Sequence, residues 1–243
     1  MLNIMKQRLD LLLVERGLVE SRVKAHALIM AGDVLVEERV IIKPAIQVNT
    51  DVPIRLRQKP PFVSRGGIKL SHVLDHYSIE VGSLVALDVG ASTGGFTDCL
   101  LKRGASRVYA VDVGYGQLDY RLRVEHRVVV MERVNAHYPF SLPEPVDLAT
   151  IDLSFISLEK VVPNVSKLVK PGGQLVCLVK PQFEAGRAHV GKGGLVKDPF
   201  LHARVLGRFI SWAIERRYRL RGITPSPILG ASGNREFFVL LNV

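Results

Sequence analysis

The chain has 243 residues, 47% hydrophobic and 23% charged, which suits one large domain or a medium domain joined to a small one, and argues against a disordered or fibrous protein. Its formal net charge of +10 favours a polyanionic partner, nucleic acid before an anionic membrane. No apolar run approaches the roughly 18 residues of a membrane span. The opening "MLNIMKQRLDLLLVERG" sets Asp10 and Glu15 around a short apolar run, which does not read as a signal peptide. Cys99 and Cys177 fall in a predicted helix and a predicted buried strand, as reduced thiols of a cytosolic protein would.

Residues 6–57 form a compact pattern. "RLDLLLVERG" predicts a short amphipathic helix closed by Gly17, and "SRVKAHALIMAG" a second, with Ser21 as N-cap and Gly32 as stop. Short strands follow in "DVLVE", "RVII" and "VPIRLR". "RLRQKPPFVSRGG" marks a seam, because its Pro-Pro pair favours extended backbone. We expect a domain over 1–59, a stiff linker over 60–65 and a second domain over 66–243.

Beyond the seam the pattern alternates. A helix "GIKLSHVLDHY" leads to strand 84–89, helix 94–103, strand 107–112 and a short strand near 128–133. Then come strand 147–152, helix 157–169 stopped by "KPGG", strand 174–179, helix 199–217, and strands near 219–224 and 236–242. The fold class expected is α/β: a doubly wound, Rossmann-like sheet of about seven strands, the last antiparallel, behind a small α+β domain. The final pair reads as an antiparallel addition at the sheet's end. "PQFEAGRAHVGKGGLVKD", a glycine-rich run of about 18 residues without apolar period, is expected to be a structureless, substrate-facing loop.

"ALDVGASTGGFTDCLL", residues 86–101, reads as a buried strand, a glycine turn and a helix start, a ligand-holding arrangement. A dinucleotide fingerprint needs glycine where Ser92 stands, and a P-loop needs lysine where Phe96 stands. An adenosine cofactor without phosphates fits instead. Asp112 ends the next strand, where a carboxylate takes ribose hydroxyls; Asn135 follows the third strand within reach of an adenine edge; Asp152 ends the fourth. Each has a local alternative: Asp112 as a turn cap, Asn135 in an Asx-turn, Asp152 as a helix N-cap. Polar groups at consecutive strand tips favour a shared pocket.

"LDVGASTGGFTDCLL", "VYAVDVG", "IDLSFISL", "LVKPQFE" and "GNREFF" resemble the FtsJ-like class of S-adenosylmethionine-dependent RNA 2'-O-methyltransferases. With "SRGGIKL" ahead of the catalytic domain, the order of parts resembles the TlyA (hemolysin A) family, which places an S4-type RNA-binding domain first. The resemblance implies a cofactor set of Asp88, Gly90, Ser92, Thr93, Gly94, Gly95, Phe96, Asp112, Asn135 and Asp152. The class more often carries "APGG" followed by Trp, and an acid at the adenine position; here "STGG", Phe96 and Asn135 stand instead.

Methyl transfer to a ribose hydroxyl is an in-line displacement, so an enzyme must align the hydroxyl and lower its proton affinity. The class uses a Lys-Asp-Lys-Glu tetrad, and Lys69, Asp152, Lys180 and Glu236 match its motifs. The resemblance implies Lys180 as the base, Asp152 orienting it, Lys69 discouraging its protonation and holding substrate, and Glu236 orienting the ribose and Lys69. Amino-group methylation would show an Asn/Asp-Pro-Pro-aromatic turn where "DLSF" stands. Carbon methylation of pyrimidines would need a cysteine at the active-site edge.

Arg55, Arg57, Lys59, Arg65 and Lys69 lie between Ile54 and Leu74 without an acid; "RRYRLR" at 216–221 and Arg187, Lys192 and Lys197 add two basic patches. Such groups contact phosphates. "SRVKAHALIMAG" resembles the RNA-binding helix of S4 domains, so Ser21, Arg22, Lys24, Arg57 and Arg65 are the RNA contacts expected. The resemblance further implies cytidine in ribosomal RNA or ribosomal subunits as substrate, in the cytoplasm, with no metal, membrane or protein partner. The rival classes are a catalytically dead RNA-binding factor, a membrane-inserting hemolysin and a nicotinamide oxidoreductase; the intact tetrad, the short apolar runs and Ser92 argue against each in turn.

Overall fold

Side-chain alternation decides how the larger part of this chain is built. The computed structural model describes residues 5–57, 60–186, 189–230 and 233–243, and the chain divides into two units, residues 1–60 and 61–243. Lys59 and Arg187 of the expected basic patches lie outside the described residues, as does the side chain of Lys192.

In the small unit, β1 (Lys6–Arg8) leads into α1 (Leu9–Glu15) and α2 (Arg22–Met30). Then come β2 (Val34–Val36), β3 (Arg39–Ile41), β4 (Gln47–Asn49) and β5 (Ile54–Leu56). Leu9, Leu12 and Leu13, spaced i, i+3, i+4 on α1, close with Ala25 and Ile29 of α2 over Val34 and Val48. Ser21 caps α2, its Oγ accepting from Lys24 N at 3.2 Å. β2 pairs antiparallel with both β3 and β5. The pairing of β1 with β4 was not expected: three-residue strands are too short to show a period, and Arg8 read as the head of the first helix.

The larger unit runs α3 (Arg65–His76), β6 (Val85–Val89), α4 (Gly95–Lys102), β7 (Arg107–Asp112), α5 (Tyr120–Arg123), β8 (Val128–Glu132) and β9 (Val146–Ile151). It continues with α6 (Val162–Ser166), β10 (Val169–Val179), α7 (Pro181–Glu184), α8 (Pro199–Glu215), β11 (Arg219–Pro225) and β12 (Phe237–Asn242). The sheet order is β11-β12-β10-β9-β6-β7-β8, and β12 is antiparallel to both its neighbours. Only the last strand therefore reverses, and β11 and β12 form the antiparallel pair expected at the sheet's end.

Period two sends Ala86 and Asp88 to one face of β6, Leu87 and Val89 to the other. On the first face Leu70, Val73 and Leu74 of α3 pack with Cys99 and Leu100 of α4. On the second, Val162 and Val165 of α6 and Val205, Phe209 and Ala213 of α8 cover the sheet. Each such side chain fully withdrawn from water contributes about 1.5–3 kcal/mol.

Two local expectations are corrected. Helix 157–169 is a 3-10 turn, Leu158–Lys160, followed by the short α6: Pro163 fits only a first helical turn, so the helix must restart there. Strand pairing then resumes at Val169, ahead of "KPGG", with a register shift before Gln174. The loop after β10 is not structureless either. It opens with α7, Pro181 in its first turn, and holds a 3-10 turn at Lys192–Gly194.

Candidate active site

The chain climbs β6 and turns back from β7–β8 to β9, so a crevice opens where β6 and β9 end. Gly90 caps β6 at φ 88°, and a Cβ there would sit 2.2 Å from Asp152 O. Gly95 begins α4, and its Cβ would meet Ser64 Oγ at 2.2 Å. Glycine is required at both places because backbone fills the space a side chain would take. The resulting cavity, about 210 Å³, is lined by Arg65, Lys69, Ser92, Thr93, Phe96 and Asp152, with Gly90 and Gly95. A second of about 260 Å³ shares Gly90 and is walled by Asp112, Asn135, Ser154 and Phe155.

Asp112 accepts from Ser92 N at 2.8 Å and from Gly114 N at 2.7 Å, so it caps its turn and walls the cavity at once. Asn135 likewise accepts from His137 N at 3.0 Å in an Asx-turn while facing the same space. Two of the expected cofactor residues lie elsewhere. Gly94 is turned toward Leu118 and Leu122. Asp88 is fully buried beneath the loop, accepting from Thr97 Oγ1 at 2.7 Å and Thr150 Oγ1 at 3.0 Å. Burial pushes its pKa up to about 6 against those two hydroxyls.

Asp152 caps no helix. Lys180 Nζ stands 2.6 Å from its Oδ1 as an ion pair and donates its hydrogen bond to Ser154 Oγ at 3.1 Å. Asp152 Oδ1 is buried, with that ammonium as its partner. Across the cavity, Lys69 Nζ donates to Glu236 Oε2 at 2.5 Å, with the two side chains only 11% and 3% exposed. Lys69 and Asp152 line one cavity, Lys180 is tied to Asp152 and Glu236 to Lys69. Four residues spread over α3, β9, β10 and β12 thus form one linked group. The glycine cradle and the Asp152 carboxylate in its wall fit a polar, nucleoside-sized cofactor in the crevice.

The sequence reading missed the residues around this group. Phe155 is 90% exposed at φ 64°, with its ring centroid 4.8 Å from that of Phe183. Lys180 Nζ lies 5.9 Å from the Phe183 centroid. The signal was there: each phenylalanine follows its acid or lysine by three residues, in "DLSF" and "KPQF". Glu184, buried, accepts from Leu158 N at 2.8 Å and Ser157 Oγ at 2.7 Å, clasping α7 to the turn after β9. Burial raises its pKa despite those bonds and Arg208. Asn234 ties the long loop, accepting from Val196 N at 2.8 Å and donating to Gly194 O at 2.8 Å.

Of the expected RNA contacts, Ser21 is engaged in its cap, Arg22 Nε reaches Asp10 Oδ2 at 3.0 Å, and Lys24 Nζ reaches Glu20 Oε1 at 3.1 Å. Arg57 is exposed, and Arg65, also exposed, donates to Leu229 O at 2.5 Å while facing the cavity. Both cysteines are buried, which pushes each thiol up to about 12 and disfavours the nucleophilic thiolate.

Sheet order, glycine cradle and strand-tip acids together define a Rossmann-like domain of the methyltransferase type. Residues 62–243 match the FtsJ-like methyltransferase family, and residues 7–52 match the S4 domain. The chain belongs to the TlyA family of FtsJ-like methyltransferases, whose methyl donor is S-adenosylmethionine. It is 45% identical to the 16S/23S rRNA (cytidine-2'-O)-methyltransferase TlyA of Mycobacterium tuberculosis, over 97% of this chain and 90% of that one. It is 41% identical to hemolysin A of Brachyspira hyodysenteriae, over 95% and 97%. A solved structure described as a hemolysin from Streptococcus thermophilus is 40% identical and superposes with a TM-score of 0.74, covering 98% of this chain and 89% of that one. Among the described residues no helix is long and apolar enough to cross a membrane.

Proposed function

We propose that this protein methylates the 2'-hydroxyl of a cytidine ribose in ribosomal RNA, acting in the cytoplasm on RNA within ribosomal subunits. S-adenosylmethionine, when bound, supplies an electrophilic methyl group carried on a sulfonium. The backbone of Gly90–Thr93, Gly95 and Phe96, with Asp112 and Asn135, would hold it, its charged end toward Asp152. Lys180 accepts the proton of the attacking hydroxyl through Nζ. Asp152 fixes that amine at 2.6 Å through Oδ1 and lines the cavity. Lys69, held by Glu236, positions the ribose from the opposite wall. Phe155, whose exposed ring packs against Phe183, the ring next to the amine, offers the target base a stacking surface outside its helix. Arg22, Lys24 and Arg57 of the S4 domain, with Ser21, and Arg65 at the cavity mouth grip the RNA backbone.

The linked Lys69–Glu236 and Asp152–Lys180 pairs carry this reading. Isolated surface lysines would not be drawn from four elements to a single cavity beside a cofactor cradle. The test is transfer of labelled methyl from S-adenosylmethionine to ribosomal subunits purified from cells lacking the enzyme, followed by mapping to the nucleotide. Label on the 2'-oxygen of one cytidine is the outcome expected. Unlabelled RNA, or label on a base atom, would sink the proposal.

A further inference from the structure

Gln182 sits on α7, two residues beyond Lys180, in the wall of a cavity of about 540 Å³ that Phe155, Phe183 and Val190 also line. Its Oε1 is buried and accepts no hydrogen bond from a described residue. Buried amide oxygens nearly always have a partner, because stripping one of water without replacement is costly. An acceptor without a partner among the described residues, in an aromatic cavity beside the proton-accepting amine, is a place for a ligand's donor.

Chemistry says which donor. In a nucleoside the base is borne on C1', next to the carbon whose hydroxyl Lys180 would deprotonate, so the base of the target nucleotide must lie close to that amine. A base stacked on Phe155 or Phe183 turns its hydrogen-bonding edge to the surrounding wall. Building on the ribose-methylation reading above, we propose that Gln182 is a specificity-determining residue whose Oε1 accepts from the exocyclic amine of the target cytosine. Uracil carries a carbonyl oxygen in place of that amine and would oppose acceptor to acceptor. Turning the amide over lets Nε2 donate one N–H to that carbonyl but buries the second N–H without an acceptor among the described residues, so uracil is disfavoured and not refused outright. The Glu184 clasp holds α7 before RNA arrives, so the amide is already in position.

The experiment compares subunits whose mapped target is cytidine with subunits in which it is mutated to uridine. Wild-type protein should prefer cytidine by about tenfold or more in kcat/KM. Gln182→Leu should lose about tenfold on cytidine and bring the ratio near one, with S-adenosylmethionine affinity unchanged by calorimetry. Gln182→Glu keeps an acceptor and should retain the preference. A Leu variant that preserves the cytidine-to-uridine ratio, whether active or weakened equally on both, overturns the assignment. A wild type that binds S-adenosylmethionine yet labels neither substrate overturns the methylation reading itself, and this inference with it.

Discussion

Each unit of this chain buries one aspartate completely, and the two are stabilised by opposite means. Asp10, in the S4 domain, receives Arg8 Nη2 at 2.8 Å, Arg22 Nε at 3.0 Å and His26 Nε2 at 3.5 Å. Its carboxyl is held well below the usual carboxylate range, first by the Arg8 hydrogen bonds and then by Arg22, against burial. Asp88, beneath the cofactor loop, has two threonine hydroxyls and no cation, and burial raises it to about 6. The Arg8 and Arg22 side chains stay 35% and 54% exposed, so the small unit uses its buried anion to aim positive charge outward. The large unit uses its own to hold a loop from below without placing a cation under it.

The largest expected effect would break this division if it failed. Lys180→Ala should reduce methyl transfer about a thousandfold, the middle of the range for losing a general base, with S-adenosylmethionine affinity retained in calorimetry. Asp88→Asn should keep most of the activity. Equal losses in the two variants would mean that the buried carboxylate and the strand-tip pair do not have separate duties.

Next comes the pH dependence of stability, which sharpens the comparison by sign. Asp88 titrates near 6 in the fold and near 3.8 without it. Between those values the folded chain keeps a proton that the unfolded chain releases, so its contribution falls as pH rises from about 4 to 6 and is flat above. That difference is worth roughly 3 kcal/mol. Asp10 runs the other way: its contribution is present above its unfolded value and is lost as pH falls through the acid range. Denaturant unfolding of wild type and Asp88→Asn across pH 4–7 should show the variant gaining on wild type as pH rises. Parallel curves would place Asp88 in an ordinary solvated state. Asp10→Ala should cost about 2 kcal/mol at neutral pH in the small unit's own unfolding, because Arg8 and Arg22 keep their water but lose their partner.

How much of this was legible in the sequence depends on what kind of signal each part leaves. The seven strands of the larger unit followed from alternating helices and strands, and the Gly90–Gly95 turn from letters that failed both phosphate motifs. Lys69, Asp152, Lys180 and Glu236 were found because a family motif tied them together; separated by up to 167 positions, no spacing rule could have done so. The β1–β4 pairing and the Pro163 restart were invisible because three to five residues carry no period. Asp88 read as a cofactor contact because it stands beside the glycine turn. Its true direction follows from strand parity: it points to the same face as Ala86, toward Thr97, and away from the crevice.

The smallest expected effect separates RNA contact from fold. Lys24 is 53% exposed and pairs with Glu20 one turn away, a surface pair worth at most about 0.5 kcal/mol. Lys24→Ala should therefore leave the melting of the small unit nearly unchanged. If its ammonium meets a phosphate, log affinity for subunit RNA should fall less steeply with log salt, the slope dropping by about one, and equally for any sequence. An unchanged slope would return Lys24 to the solvated surface. The grip of this domain would then rest on Arg8 and Arg22, the two guanidiniums that Asp10 holds in place.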